Sequence, residues 1–191
     1  MAAVLPPVAR VLVYATAALW AVAELRQGMN TRPEARQADR GSRLVVRLSA
    51  VAGVVGATLV DHVKGADIRP TTVPVWSGLV VLWCGVALRL WSFRTLGRYF
   101  TFTVQTSPDQ PVITAGPYGV VRHPSYAAIL LAVIGIGLLL TNWLSLVVLV
   151  AGTACGLAFR IRVEERALLR DIGEPYRRYA ETHKRLIPFV W

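Results

Sequence analysis

The chain has 191 residues, 54% of them hydrophobic, with a mean hydropathy of +0.49 and a formal charge of +10. That composition is too apolar for an ordinary soluble domain and points to a membrane protein. The charge comes from nineteen arginines and two lysines set against eleven acids; it flanks apolar runs instead of forming a basic stripe interleaved with aromatics, so it reads as orientation in a membrane and not as nucleic-acid binding.

The first apolar run covers residues 7–23. A small-residue stretch, Ala21-Val22-Ala23, resembles a signal-peptide cleavage site, but the positive charge follows the run instead of preceding it. Arg26, Arg32, Arg36, Arg40 and Arg43 lie after the run, which places that side in the cytoplasm and the N-terminus outside. Glu24, at the end of this run, is either an interface residue or a group turned into the bundle. The second run, residues 44–60, carries Gly53 and Gly56 for close helix contact. The neutral loop 61–72 fits the outer face. The third run, residues 73–91, is bracketed by Trp76 and Trp91, with Arg89 near its inner end.

Residues 92–123 form a long connection, rich enough in aromatics at Tyr99, Phe100 and Phe102 to argue against disorder. The fourth run, residues 126–140, and the fifth, 143–159, are joined by Thr141-Asn142 alone, which predicts a tight helical hairpin with its turn outside. Gly152 and Gly156 stand at a helix-packing spacing. From Arg160 onward eight bases face five acids, which places the tail inside. Cys84 and Cys155 lie within apolar runs and read as buried small hydrophobes, not as a disulfide or a metal site. His62, His123 and His183 lack metal-ligand spacing.

Two polar blocks stand out. The first is residues 114–126, with Gly116-Pro117-Tyr118 and then Arg122-His123-Pro124-Ser125-Tyr126. Pro124 holds His123 out of the helical region and suits the first turn of the helix that follows. A cation, a titratable ring and free backbone N–H groups at a helix start suit an anionic ligand. The second block is Arg160-Ile-Arg-Val-Glu164-Glu165-Arg-Ala-Leu168, followed by Gly173-Glu-Pro-Tyr176-Arg-Arg-Tyr179 and Pro188. Arg160 and Glu164, at i and i+4, are also the spacing of an ordinary surface pair. Glu165 reads as a supporting or solvated acid, and Tyr176 and Tyr179 as tail packing. The topology puts both blocks on the cytoplasmic face.

At these blocks the sequence resembles the isoprenylcysteine carboxyl methyltransferase family, and the likeness runs from about residue 96 to 189. The resemblance implies an all-α integral membrane protein with about five transmembrane helices. Its cytoplasmic cofactor site would be formed by the loop before helix 4 and the segment after helix 5. Residues 1–95 would hold helices 1–3 and an Arg-rich loop at 25–43. Residues 96–191 would form the methyltransferase core, with its hairpin at 124–159. The implied cofactor is S-adenosyl-L-methionine, contacted by Gln105, Gln110, Pro111, Val112, Ile113, Tyr118, His123, Pro124, Ser125, Tyr126 and Glu164. Arg160 falls where the family has an arginine facing the acceptor carboxylate, so Arg160 and Glu164 are the catalytic candidates.

The chemistry agrees with that assignment. The cofactor's carboxylate wants a cation or N–H groups, as at His123, and its ammonium and ribose diol want an acid, as at Glu164. The faces of Tyr118 and Tyr126 suit adenine or a sulfonium. A carboxylate acceptor is ionised at neutral pH and needs no general base. The expected acceptor is a lipophilic, isoprenoid-like or lipid-linked carboxylate, and the arginine-rich composition suggests a bacterial inner membrane. Two other readings remain at this stage: a membrane reductase using a nicotinamide cofactor, and a non-enzymatic membrane subunit.

Overall fold

The computed structural model describes residues 5–28, 36–37, 39, 41–63, 65–69, 72–100, 105–106 and 111–188. Six helices account for most of them: α1 (Pro7–Gly28), α2 (Ser42–Val60), α3 (Thr72–Leu96), α4 (Pro124–Leu139), α5 (Trp143–Asp171) and α6 (Glu174–Thr182). Short 3-10 turns cover Gly97–Tyr99 and Gly116–Gly119. Two-residue strands β1 (Arg36–Gln37) and β2 (Gln105–Thr106) pair antiparallel.

The fold is the all-α membrane class expected. Helices α1, α2, α3 and α5 are long and apolar enough to cross a membrane. The fourth expected span, α4, is an apolar helix of 16 residues, short of the roughly 20 that a helix needs to cross. Two helices outrun their apolar segments. α3 continues to Leu96, shortening the expected connection. α5 runs through the charged block to Asp171 as one helix of 29 residues. Its second half is built of strong helix formers and meets no glycine or proline until Gly173, whose φ of 73° breaks the helix.

In space the helices follow the order α1, α3, α4, α5, α2. Small residues let the central pairs approach. A Cβ placed on Gly152 of α5 would lie 2.8 Å from Gly53 Cα and 3.0 Å from Ser49 O, both on α2. A Cβ on Gly85 of α3 would lie 2.6 Å from Ala132 N of α4. Each obstacle is backbone, which cannot move aside as a side chain would. Gly152→Val should therefore force α2 and α5 apart and cost about 1–3 kcal/mol, seen as a fall of several degrees in the thermal midpoint of the detergent-solubilised protein.

The hairpin turn between α4 and α5 is clasped by the α2–α3 loop. Ile68 N donates to Thr141 O at 2.8 Å, Trp143 N to Ala66 O at 2.9 Å, and Asn142 Nδ2 to Asp61 O at 3.3 Å. Thr141, the only non-glycine at positive φ among the described residues (54°), is held there by these bonds. The two segments read as outer thus meet at one end, opposite the charged blocks. The cysteines depart from expectation: Cys84 and Cys155 are exposed. Helices apolar on all sides turn one face outward, and the thiols lie on that face with Trp83, Val80 and Val147.

Candidate functional site

The first polar block folds as a turn and a helix start. Pro111 is exposed, while Val112 and Ile113 are half-buried in the extended lead-in. The 3-10 turn then buries Pro117 and Tyr118. His123 caps α4 with φ −125° and ψ 58°, outside the helical region as the following proline requires, and Pro124 takes the first turn. Two of the N–H groups expected to be free are not. Arg122 N donates to Lys184 O at 2.8 Å and His123 N to Arg185 O at 2.9 Å, because the tail runs parallel to residues 121–123. The anion-binding role read into those amides is therefore taken by the protein's own tail.

The second block reaches the first through one phenol. Tyr126 Oη donates to Glu164 Oε2 at 2.5 Å and accepts from Arg160 Nε at 2.8 Å. Arg160 and Glu164 are thus bridged by a residue of the other block and are not a surface pair; the Arg160 side chain is only 8% exposed. His123 stacks on Tyr126, with ring centroids 5.5 Å apart and planes 15° apart, and its Nδ1 lies 4.0 Å from Glu164 Oε2. Among the described residues Glu164 Oε1 accepts no hydrogen bond, and the side chain remains 29% exposed. An acid with one free oxygen at the mouth of an aromatic cluster can take an ammonium or a diol.

Glu165, the neighbouring acid, has a different environment. It is buried and faces three bases: His123 Nε2 at 3.2 Å, Arg122 Nη1 at 2.9 Å and Arg185 Nε at 2.9 Å. Through the first of these contacts it supports the histidine. Arg185 joins the tail to α5 through it. Tyr179 Oη donates to Tyr118 O at 2.6 Å, so α6 holds the turn before α4 from the other side. Burial, the largest cause, raises the Tyr118 phenol well above its ordinary value, and the Glu164 charge adds to that. Burial also pushes Tyr179 up to about 12, against the lowering field of Arg122. Neither phenol is a base at neutral pH.

A third cluster was missed. Arg89, on α3, is buried and donates through Nε and Nη2 to the two oxygens of Glu24 on α1, at 2.8 and 3.2 Å. Its Nη1 donates to Ser125 O at 3.2 Å and to Ser125 Oγ. The guanidinium also lies over the rings of Phe93 and Phe100, 4.7 and 5.3 Å from their centroids. Reading Arg89 as a plain inner-end cation overlooked its partner 65 positions earlier. The signal was present, since an arginine and an acid inside apolar runs call for each other. Of the two roles open for Glu24, the bundle interior is the one observed.

The structure therefore brings Tyr118, His123, Ser125, Tyr126, Arg160 and Glu164 to one end of the bundle, with Pro124 buried among them. Gln110 and the side chain of Gln105 lie outside the described residues. Asp39 and Ser42, from the start of α2, also reach Arg160, a contact no local pattern predicts.

Residues 78–170 match the model of the isoprenylcysteine carboxyl methyltransferase family. The chain is 31% identical over 115 residues to protein-S-isoprenylcysteine O-methyltransferase B of Arabidopsis thaliana, covering 59% of this chain and 58% of that protein. It is 29% identical over 138 residues to a probable protein-S-isoprenylcysteine O-methyltransferase of Oryza sativa subsp. indica, covering 69% and 72%. Its fold is similar to the solved structure of the eukaryotic intramembrane Ras methyltransferase ICMT, with a TM-score of 0.59 and 30% identity over 75% of this chain and 52% of that one. The chain thus spans a little over half the length of the Arabidopsis protein and of the solved structure.

Proposed function

We propose that the chain, whose residues 78–170 match the isoprenylcysteine carboxyl methyltransferase family, is an S-adenosylmethionine-dependent methyltransferase acting on the carboxylate of a lipophilic acceptor. The observation that carries the proposal is the Arg160–Tyr126–Glu164 chain of hydrogen bonds. It joins a candidate acceptor arginine and a candidate cofactor acid through the helix start where the family motif lies.

The residues fit such a cofactor at one end of it. Glu164 offers a partly exposed carboxylate with an unused oxygen to the ammonium or the ribose diol, beside the ring of Tyr118. The cofactor's own carboxylate would not be received by the amides of residues 122 and 123. When bound, S-adenosylmethionine supplies a methyl group already activated on a positive sulfur. The protein then has little acid–base work to do. Arg160 holds the acceptor carboxylate without protonating it, Tyr126 fixes the distance between Arg160 and Glu164, and the buried surroundings of Arg160 strip water from the nucleophile.

In this reading residues 96–191 form the core and the charged end faces the cytoplasm, with the N-terminus outside. The names of the relatives point to an isoprenylated cysteine as the class of acceptor, and an isoprenoid-like or lipid-linked carboxylate meets the same chemistry.

Calorimetric titration separates the enzyme readings. S-adenosylhomocysteine should bind the solubilised protein, and NADPH should not; the reverse result would replace methyl transfer with nicotinamide chemistry. A labelled methyl group transferred from S-adenosylmethionine into a lipid extract would then identify the acceptor.

A further inference from the structure

Arg160 already holds a carboxylate. Asp39 Oδ1 lies 3.1 Å from Arg160 Nη1, and Ser42 Oγ accepts from the same nitrogen at 3.1 Å. The side chains are 8% and 19% exposed, so water and salt screen the pair much less than they would at the surface. Asp39 is itself held in place: it accepts from Ser42 Oγ at 2.9 Å and from Arg43 N at 3.3 Å at the start of α2. The strand just before it, β1, pairs with β2 at residues 105 and 106.

We propose that Asp39 is a built-in competitor for the acceptor carboxylate, occupying its place on Arg160 until a lipophilic acid displaces it. The inference rests on the proposed reading of Arg160 as the acceptor arginine. Nε of that guanidinium is committed to Tyr126, and Nη1 is shared by Asp39 and Ser42. A second carboxylate brought to the same nitrogen would lie against the charge of Asp39, with Glu164 one phenol away. Like charges at one site disfavour joint occupancy.

Two consequences follow from the pairing. Without acceptor, the buried arginine is never left as an isolated cation. A short carboxylate has only its charge with which to displace Asp39, whereas an acid with a long apolar tail adds the free energy of burying that tail. Asp39 thereby converts a general carboxylate site into one that demands a carboxylate and a hydrophobe together. This makes it a specificity-determining residue of the proposed reaction.

The test uses N-acetyl-S-farnesyl-L-cysteine as the lipophilic acid and its methyl ester as the uncharged control. Both are titrated into the full-length protein with S-adenosylhomocysteine present. Asp39→Asn keeps the size and a capping oxygen, and it should bind the acid about tenfold more tightly than the unsubstituted protein, with ester binding unchanged. Asp39→Ser, which also removes the charge and keeps a side-chain oxygen, supplies the measurement if the asparagine variant does not fold. Unchanged or weaker acid binding in the variant overturns the proposal and makes Asp39 an orienting partner of Arg160. Arg160→Ala should bind the acid more weakly than the unsubstituted protein. If it binds equally well, the assignment of Arg160 fails, a result distinct from failure at Asp39.

Discussion

Glu164→Ala should weaken cofactor binding by at least about thirtyfold while leaving a folded protein. Glu164 offers the ligand an oxygen that no described protein group uses, so its loss falls mainly on binding. Truncating one partner of a close charged contact costs about 2–5 kcal/mol, which is about thirtyfold or more in affinity for S-adenosylhomocysteine. The cost to the fold is smaller. Tyr126 Oη loses its acceptor but keeps the bond from Arg160 Nε, and one such bond contributes about 1 kcal/mol. A chain of this size should then lose about 2–4 °C in thermal midpoint. Glu164→Gln separates the two contributions, since it retains an acceptor for Tyr126 and removes the charge. Calorimetry and thermal denaturation in detergent read both quantities, and an alanine variant that fails to fold would make Glu164 a structural residue.

The largest effect on stability is expected at Arg89. Its fork spans α1 and α4 from α3, pairing with Glu24 and holding Ser125. Arg89→Met leaves an acid against an apolar bundle with Trp20 Nε1, at 2.7 Å, as its one remaining partner among the described residues. Breaking such a pair from one side costs about 3–5 kcal/mol. Replacing both charges should cost far less, so Glu24→Gln with Arg89→Met should recover most of the loss. A double-mutant cycle on thermal midpoints checks this. If the double variant is as unstable as Arg89→Met alone, the pair is not what joins α1 to the bundle. Cofactor affinity in the double variant measures separately how much Ser125 needs the guanidinium.

What the sequence made legible divides along a physical line. The apolar runs, the hairpin at Thr141-Asn142 and the shared end of the two polar blocks follow from hydropathy, turn length and charge asymmetry, all of which are local. So did the small-residue seams, where Gly53 faces Gly152 across α2 and α5. The extension of α5 through its charged half is hidden because the end of an apolar run is not the end of a helix; propensity carries the helix on. Contacts between distant polar residues were hidden as well. The pairs Glu24–Arg89 and Asp39–Arg160 depend on helix order in space, and nothing in the spacing within either segment encodes them. The amides of residues 122 and 123 could not be recognised as occupied, because the tail that binds them lies sixty residues further on. The likeness between motifs named the residues gathered around Tyr126 but was silent on their partners from the N-terminal half.

The unbroken length of α5 also sets depth. At 1.5 Å per residue, Arg160 lies about 26 Å along the axis from Trp143, and Glu164 about 32 Å. For an upright α5 with Trp143 at the outer edge of a hydrocarbon slab about 30 Å thick, the inner edge would fall between them. In the proposed reaction one turn of helix would then span the boundary between oil and water, so a greasy acid could stay in its leaflet while a soluble nucleoside stays in its own medium, and neither would have to cross into the other's phase for the two to touch.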